Sequence, residues 1–247
     1  QSSLRVYDLD LNQIVSYRLA NLRDRDGNNV SLQQPGGGNT LNDASSGVVD
    51  ANGLLYVMSR YSVIHVLDGT LPPGFDCSVN CTHTPAYLGA LSDDGQAFEG
   101  SGRELQLDAD GYIVAGRRSR LYRYTPSWIA GDGLAYPGTL EGWLGRCDID
   151  LAPGDQAVCD VGNRRTLGFS CTDATCEVDE AFNPEEQAIC GALGIGGQPT
   201  WGCRPGQFRG VPALDIDPQG TIYVADSGNA RIQRFSTDGF FAGQAES

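Results

Sequence analysis

ALDIDPQGTIYVADSGNARIQRF, residues 213–235, is the stretch whose reading decides the fold. Leu214 and Ile216 alternate with Asp215 and Asp217, the two-residue period of a strand. Pro218-Gln219-Gly220 closes a tight turn, where Gly supplies the positive φ that such turns demand. Ile222 to Ala225 forms a second short apolar strand. Asp226-Ser227-Gly228-Asn229 is the next turn, and Arg231 to Phe235 the third strand.

The unit recurs upstream. In GVVDANGLLYVMSRYSVIHVLD, residues 47–68, Asp50, Gly53, Tyr56 and Val57 fall on Asp217, Gly220, Tyr223 and Val224. In LQLDADGYIVAGRRSRLYRY, residues 105–124, Asp108, Gly111, Val114 and Ala115 take those places. A degenerate copy covers residues 148–169, where Val158 to Asn163 tracks Val224 to Asn229. The opening SLRVYDLDLNQIVSYRL, residues 3–19, matches only the end of the unit, with Leu4, Val6 and Tyr7 on Ile232, Arg234 and Phe235. Repeats about 40 to 65 residues apart, each with three or four short strands, build β-propeller blades. One such sheet cannot bury both its faces; stacking about an axis covers them.

The expected fold class is therefore all-β. The expected layout is one domain over residues 1–247: a half blade at 1–32, blades near 44–91, 98–147, 148–208 and 209–247, and a Cys-rich insert at 170–206. The totals agree. There are 33 Gly and 12 Pro, and no long run repeats at the helical period.

The net charge is −14, and every one of the 17 basic side chains is Arg. Such an acidic chain argues against nucleic acid or an anionic membrane as partner, since both need clustered positive charge. No run of apolar residues reaches the length of a transmembrane helix, so no membrane insertion is expected of this segment. Eight Cys, namely Cys77, Cys81, Cys147, Cys159, Cys171, Cys176, Cys190 and Cys203, lie in expected loops. An even count there suggests disulfides and an oxidising compartment. Sequence neighbours pair most simply: Cys77 with Cys81, Cys147 with Cys159, Cys171 with Cys176, Cys190 with Cys203. Other pairings remain open. Zinc is the competing reading, but it wants paired CxxC knuckles or nearby His, and neither is present.

Candidate chemistry is sparse. Asp24-Arg25-Asp26-Gly27-Asn28-Asn29 lies outside the repeat, and Asp24, Asp26 and Asn28 offer alternating oxygens to Ca²⁺. An EF-hand loop wants Gly at its sixth place and Glu at its twelfth, where this chain has Asn29 and Pro35. The Asp-rich turns at Asp50 and Asp108 read as hairpin turns with Asx-type bonding. Arg117-Arg118-Ser119-Arg120-Leu121-Tyr122-Arg123-Tyr124 is a basic cluster, and Arg117 and Arg118 are candidates for a sulfated or carboxylated sugar. The plainer reading pairs these Arg with Asp on an adjacent blade. Trp128, Trp143 and Trp201 are expected in loops after strand cores and are candidate binding anchors or disulfide packers. With only His65 and His83, no Lys, and no HExxH, GxSxG or GxxxxGK, no catalytic constellation emerges. Asn29-Val30-Ser31 and Asn80-Cys81-Thr82 fit the glycosylation sequon.

GQFRGVPALDIDPQGTIYVADSGNARIQRFSTDGFFAGQ, residues 206–244, resembles an NHL repeat at its apolar-Asp-x-x-Gly turn, its Ile-Tyr-Val-Ala-Asp strand, its Gly-Asn turn and its Arg-Ile pair. The repeats at 47 and 105 resemble it less closely, and the one at 148 least. The resemblance implies a propeller, commonly of six blades, so about four and a half blades here suggest part of a longer polypeptide with further domains. It also makes Arg231, and Arg120 at the same place, a framework residue. The stretch 142–176 resembles inserts in NHL propellers of large extracellular, cadherin-like or teneurin-like proteins. The expected function is a non-catalytic extracellular module that binds protein or carbohydrate at the cell surface. A lyase- or lactonase-like enzyme with a metal, Ca²⁺ for instance, in a central cavity is the alternative. A structural segment of an adhesin or filament is a third.

Overall fold

The computed structural model describes residues 3–8, 10–32, 38–41, 43–59, 63–91, 102–117, 120–125, 139–145, 208 and 213–246. Contacts divide the chain into two units, residues 1–102 with 126–138 and residues 103–125 with 139–247. Each is described by itself. Among the described residues the regular structure is strand, with one short 3-10 turn and no α-helix.

The first unit holds two sheets. In the first sheet, β1 (Ser3–Tyr7) and β2 (Gln13–Arg18) form a hairpin, and β6 (Thr82–His83) runs parallel to β2. The second sheet has the order β3 (Ala44–Val49), β4 (Leu54–Ser59), β5 (Ile64–Asp68), β7 (Ala86–Leu91), all antiparallel. The second unit repeats that meander twice. Its third sheet runs β8 (Gly102–Leu107), β9 (Ile113–Arg117), β10 (Arg120–Thr125), β11 (Thr139–Gly145). Its fourth runs β12 (Ala213–Ile216), β13 (Ile222–Asp226), β14 (Arg231–Phe235), β15 (Phe241–Glu246).

The turn that defines the repeat has one construction in all three complete sheets. Asp50 Oδ1 accepts the backbone N–H of Asn52 at 2.9 Å and of Leu54 at 2.8 Å. Asp108 does the same with Asp110 and Tyr112, and Asp217 with Gln219 and Thr221. The carboxylate thus satisfies two donors that a sharp turn would leave open. Gly53, Gly111 and Gly220 follow with φ of 81°, 85° and 83°, a region costly for any residue with a Cβ. The sequence equivalence of these Asp residues is a structural equivalence.

The outer hairpins agree too. Register slips by one residue between Val6 and Tyr7, Val66 and Leu67, Arg123 and Tyr124, and Arg234 and Phe235. These are the same place in every sheet, so the opening hairpin is the outer half of a repeat. A bulge there sharpens the local twist, as blades require.

Sheets pack face to face within each unit. Val15 and Tyr17 of the first sheet, with Leu4 and Val6 beside them, lie on Leu55, Val57, Leu67 and Tyr87 of the second. Val114, Leu121 and Leu144 of the third lie on Leu214, Ile222, Val224 and Phe235 of the fourth, with Phe208 between. Each fully buried large apolar side chain contributes about 1.5–3 kcal/mol. The expected blade at 148–208, with the insert at 170–206, lies outside the described residues apart from Phe208.

Candidate functional site

The most polar part of the matched repeat is the turn joining β13 to β14. Ser227–Asn229 form a 3-10 turn, and Ala230 closes it in the left-handed region with its N–H on Ser227 O. Asp226 is buried at the centre. Its Oδ2 takes Arg231 Nε at 2.9 Å, Asn229 Nδ2 at 2.7 Å and Gln233 Nε2 at 3.3 Å. A carboxylate so held is a framework group. Its strands bring Asp226 and Arg231 directly opposite each other.

The register identifies the same places elsewhere. In the third sheet Arg117 and Arg120 are cross-strand partners, so two cations occupy the positions of an Asp–Arg pair. In the second sheet Ser59 and Val63 stand there, and His65 stands where the fourth sheet has Gln233. Ser59 Oγ and His65 Nε2 are buried and have no hydrogen-bond partner among the described residues. His65 Nδ1 lies 3.5 Å from the Tyr87 hydroxyl. Burial holds the imidazole down at about 4 and pushes the Tyr87 phenol up to about 12.

A second polar group ties sheet to sheet. Arg123 on β10 donates from Nη1 to Thr237 O at 3.0 Å, in the turn between β14 and β15. It also lies 3.5 Å from Asp108 Oδ2 and 3.6 Å from Asp238 Oδ1, with its guanidinium carbon 3.8 Å above the Tyr112 ring. The first unit uses the equivalent carbonyl, where the Tyr17 hydroxyl donates to Gly69 O at 2.8 Å. Arg123 is thus the residue that pairs with Asp on the adjacent sheet. Sequence reasoning had placed it in the basic cluster without singling it out; its alignment with Arg234 is the signal that could have done so.

Arg117 ends β9, and Arg118 lies outside the described residues, as do Trp128 and Trp201. Trp143, expected in a loop, is instead on β11, where the backbone pairs it with Tyr122 of β10. Rings of Tyr122 and Tyr124 stack, as residues sharing one face of a strand would. Asp24, Asp26 and Asn28 form a hairpin turn beneath the Arg23–Asn29 bridge. Asp24 Oδ1 accepts from Asp26 N at 2.9 Å and Asn28 N at 2.8 Å, and Oδ2 from Asn28 Nδ2 at 3.0 Å. Those bonds, the Asn28 amide first, hold the Asp24 carboxyl below its ordinary range. The loop is thus built like the repeat turns, though it lies outside the repeat. Among the described residues no three His, Cys, Asp or Glu side chains cluster as a metal site would need. Cys77 and Cys81 lie at disulfide distance; the other six Cys fall outside the described residues.

The NHL repeat family model matches residues 213–235. No curated protein matches the chain. The match and the four sheets together fit an NHL-type β-propeller. No described helix is long and apolar enough to cross a membrane.

Proposed function

We propose that this chain is an extracellular, non-catalytic interaction module of the propeller type, serving protein or carbohydrate partners at the cell surface. One observation carries the reading: the repeat's carboxylates are taken up by its own turns and by Arg231, so the repeat is a frame for presenting surface. NHL repeats generally mediate protein interactions. The Cys77–Cys81 pair suits an oxidising compartment. Its binding residues are Arg117, which ends β9, and Arg118 after it, on a chain of net charge −14. Guanidinium groups fit carboxylate or sulfate bidentately.

Titration of the purified chain with a sulfated oligosaccharide and with an acidic peptide tests this. Binding that weakens with salt and disappears in an Arg117→Ser, Arg118→Ser double variant is expected. Binding unchanged in that variant would reject the site. Turnover of a lactone or a uronate polymer by the purified chain would reject the non-catalytic reading.

A further inference from the structure

The connection from β5 to β7 leaves the second sheet and lends β6 to the first. Its two ends are held by the body of the first unit. Gly69 O accepts the Tyr17 hydroxyl at 2.8 Å, and Asp68 Oδ2 takes Arg25 Nη2 at 2.9 Å. Tyr87 N donates to Arg23 O at 2.7 Å. Leu71 and Phe75 pack on the core that the two sheets share. The His83 ring meets Tyr17 and Phe75 edge-on, with centroids 6.0 and 6.3 Å away.

Between Phe75 and His83 the loop is bonded differently. Residues 76–80 form a turn on their own. Asp76 O accepts Val79 N at 3.2 Å and Asn80 N at 3.0 Å, and Asp76 Oδ1 accepts Ser78 N at 2.8 Å. Contact with β2 comes through Cys81 and the residue after it. Ser16 N donates to Cys81 O at 2.6 Å, Thr82 pairs with Ser16, and Cys81 Sγ lies 3.8 Å from Gln13 O. β6 is two residues long, shorter than a strand that holds by its own pairing. The Cys77–Cys81 disulfide ties Cys81 to the turn and so sets the residue that reaches β2. Both Cys are half-buried, Ser78 and Asn80 are exposed, and Val79 is 85% exposed, so the sulfur pair is within reach of a reductant.

We propose that this disulfide is a redox latch: closed, it holds residues 76–82 on the edge of β2, and its reduction releases them about hinges at Phe75 and His83. The reductant is a dithiol. One of its thiolates attacks a sulfur of the pair, breaks the S–S bond and forms a mixed disulfide. Its second thiolate then displaces the bound protein sulfur. Cys77 and Cys81 end as thiols with the two protons of the reductant, which ends as a disulfide. Release frees Ser16 N–H on the side of β2 that β6 covers in the oxidised chain. An oxidising surrounding keeps the latch shut, so the device adds a control that the interaction reading does not contain.

Hydrogen exchange of the full chain, followed amide by amide with and without dithiothreitol under native conditions, tests the latch. Alkylation of free thiols with peptide mapping reports the state of Cys77 and Cys81. A Cys77→Ser, Cys81→Ser double variant opens the loop without touching the remaining Cys. Exchange at Ser16 is expected to quicken roughly tenfold or more in the reduced chain and in the variant, while Tyr87 keeps its rate. Reoxidation is expected to restore Ser16 protection in wild type. Equal Ser16 exchange in the closed and open forms overturns the proposal. A pair that dithiothreitol leaves oxidised in the native chain, or protection that does not return on reoxidation, overturns it too. A variant that does not fold, or that loses Ser16 and Tyr87 protection alike, makes the disulfide a prop of the whole unit and has the same consequence.

Discussion

The second and fourth sheets share one backbone plan and bury it differently. Tyr56, Ile64 and Val66 of the second are at most 1% exposed, while Tyr223 and Ile232 at the same positions are 36% and 50% exposed. The reverse holds for polar content. The fourth sheet buries a satisfied Asp226–Arg231–Gln233 group, where the second buries Ser59 Oγ and His65 Nε2 without partners among the described residues. Backbone position therefore does not set the energetic role of a side chain. What covers the face, and which partners share the row, does.

The sharpest break comes at Asp226. Asp226→Ala strands Arg231 in a buried site and is expected to cost roughly 3–5 kcal/mol in chemical denaturation. Ser59→Ala, at the equivalent place, removes a buried hydroxyl that has no partner among the described residues and should be neutral or slightly stabilising. Comparable losses for the two would refute the contrast.

Ile64 and Ile232 test burial alone. Truncating Ile64 to Ala should cost about 2–5 kcal/mol by loss of contact and cavity formation. Truncating Ile232 should cost under about 0.5 kcal/mol in dilute solution, as exposed positions do. Thermal melts of the two variants, compared at low concentration, decide the matter.

His65 adds a pH dependence that Gln233 lacks. Its folded pKa, about 4, is below the ordinary 6.5. The unfolded chain takes up the proton first as pH falls. Its contribution is therefore full above pH 6.5, declines as pH drops towards 4, and is gone below it, a loss of roughly 3 kcal/mol. Replacing His65 by Gln, the residue of the fourth sheet, should flatten that part of the stability profile. An unchanged slope in denaturation midpoints between pH 6.5 and 4 would place the dependence elsewhere.

The smallest effect separates two turns. Gly27 and Gly220 both have positive φ, but a Cβ at Gly27 meets nothing, and one at Gly220 runs into Thr237 Oγ1. Gly27→Ala should cost about 1–2 kcal/mol from backbone strain alone. Gly220→Ala should cost measurably more, together with loss of the Thr237 hydrogen bond to Gly220 O. Equal melting shifts would show that Thr237 moves aside freely.

Much of this is legible in the sequence. Asp50, Asp108 and Asp217 with their Gly partners announce the turns, because a sharp hairpin needs an acceptor and a residue tolerant of positive φ within four positions. Leu4, Val6 and Tyr7 were enough to align the β1–β2 hairpin with the outer hairpin of the repeat. The candidates outside the repeat were less legible: in Asp24, Asp26 and Asn28 the sequence shows alternating oxygens, and the structure adds that local amides bond the Asp24 carboxylate. Arg123 resembles its basic neighbours in sequence, and only the adjoining sheet distinguishes it.

By itself the chain of residues determined the strand period, the turns and the repeat, since these depend on side chains a few positions apart. Tertiary structure decided which face of each sheet is covered, that Arg123 spans to Thr237, and that His65 is shut away from water. Those outcomes depend on surfaces brought together across up to a hundred residues or more, where local pattern carries no information about distance. Two strands in one backbone register can therefore differ in how they are buried.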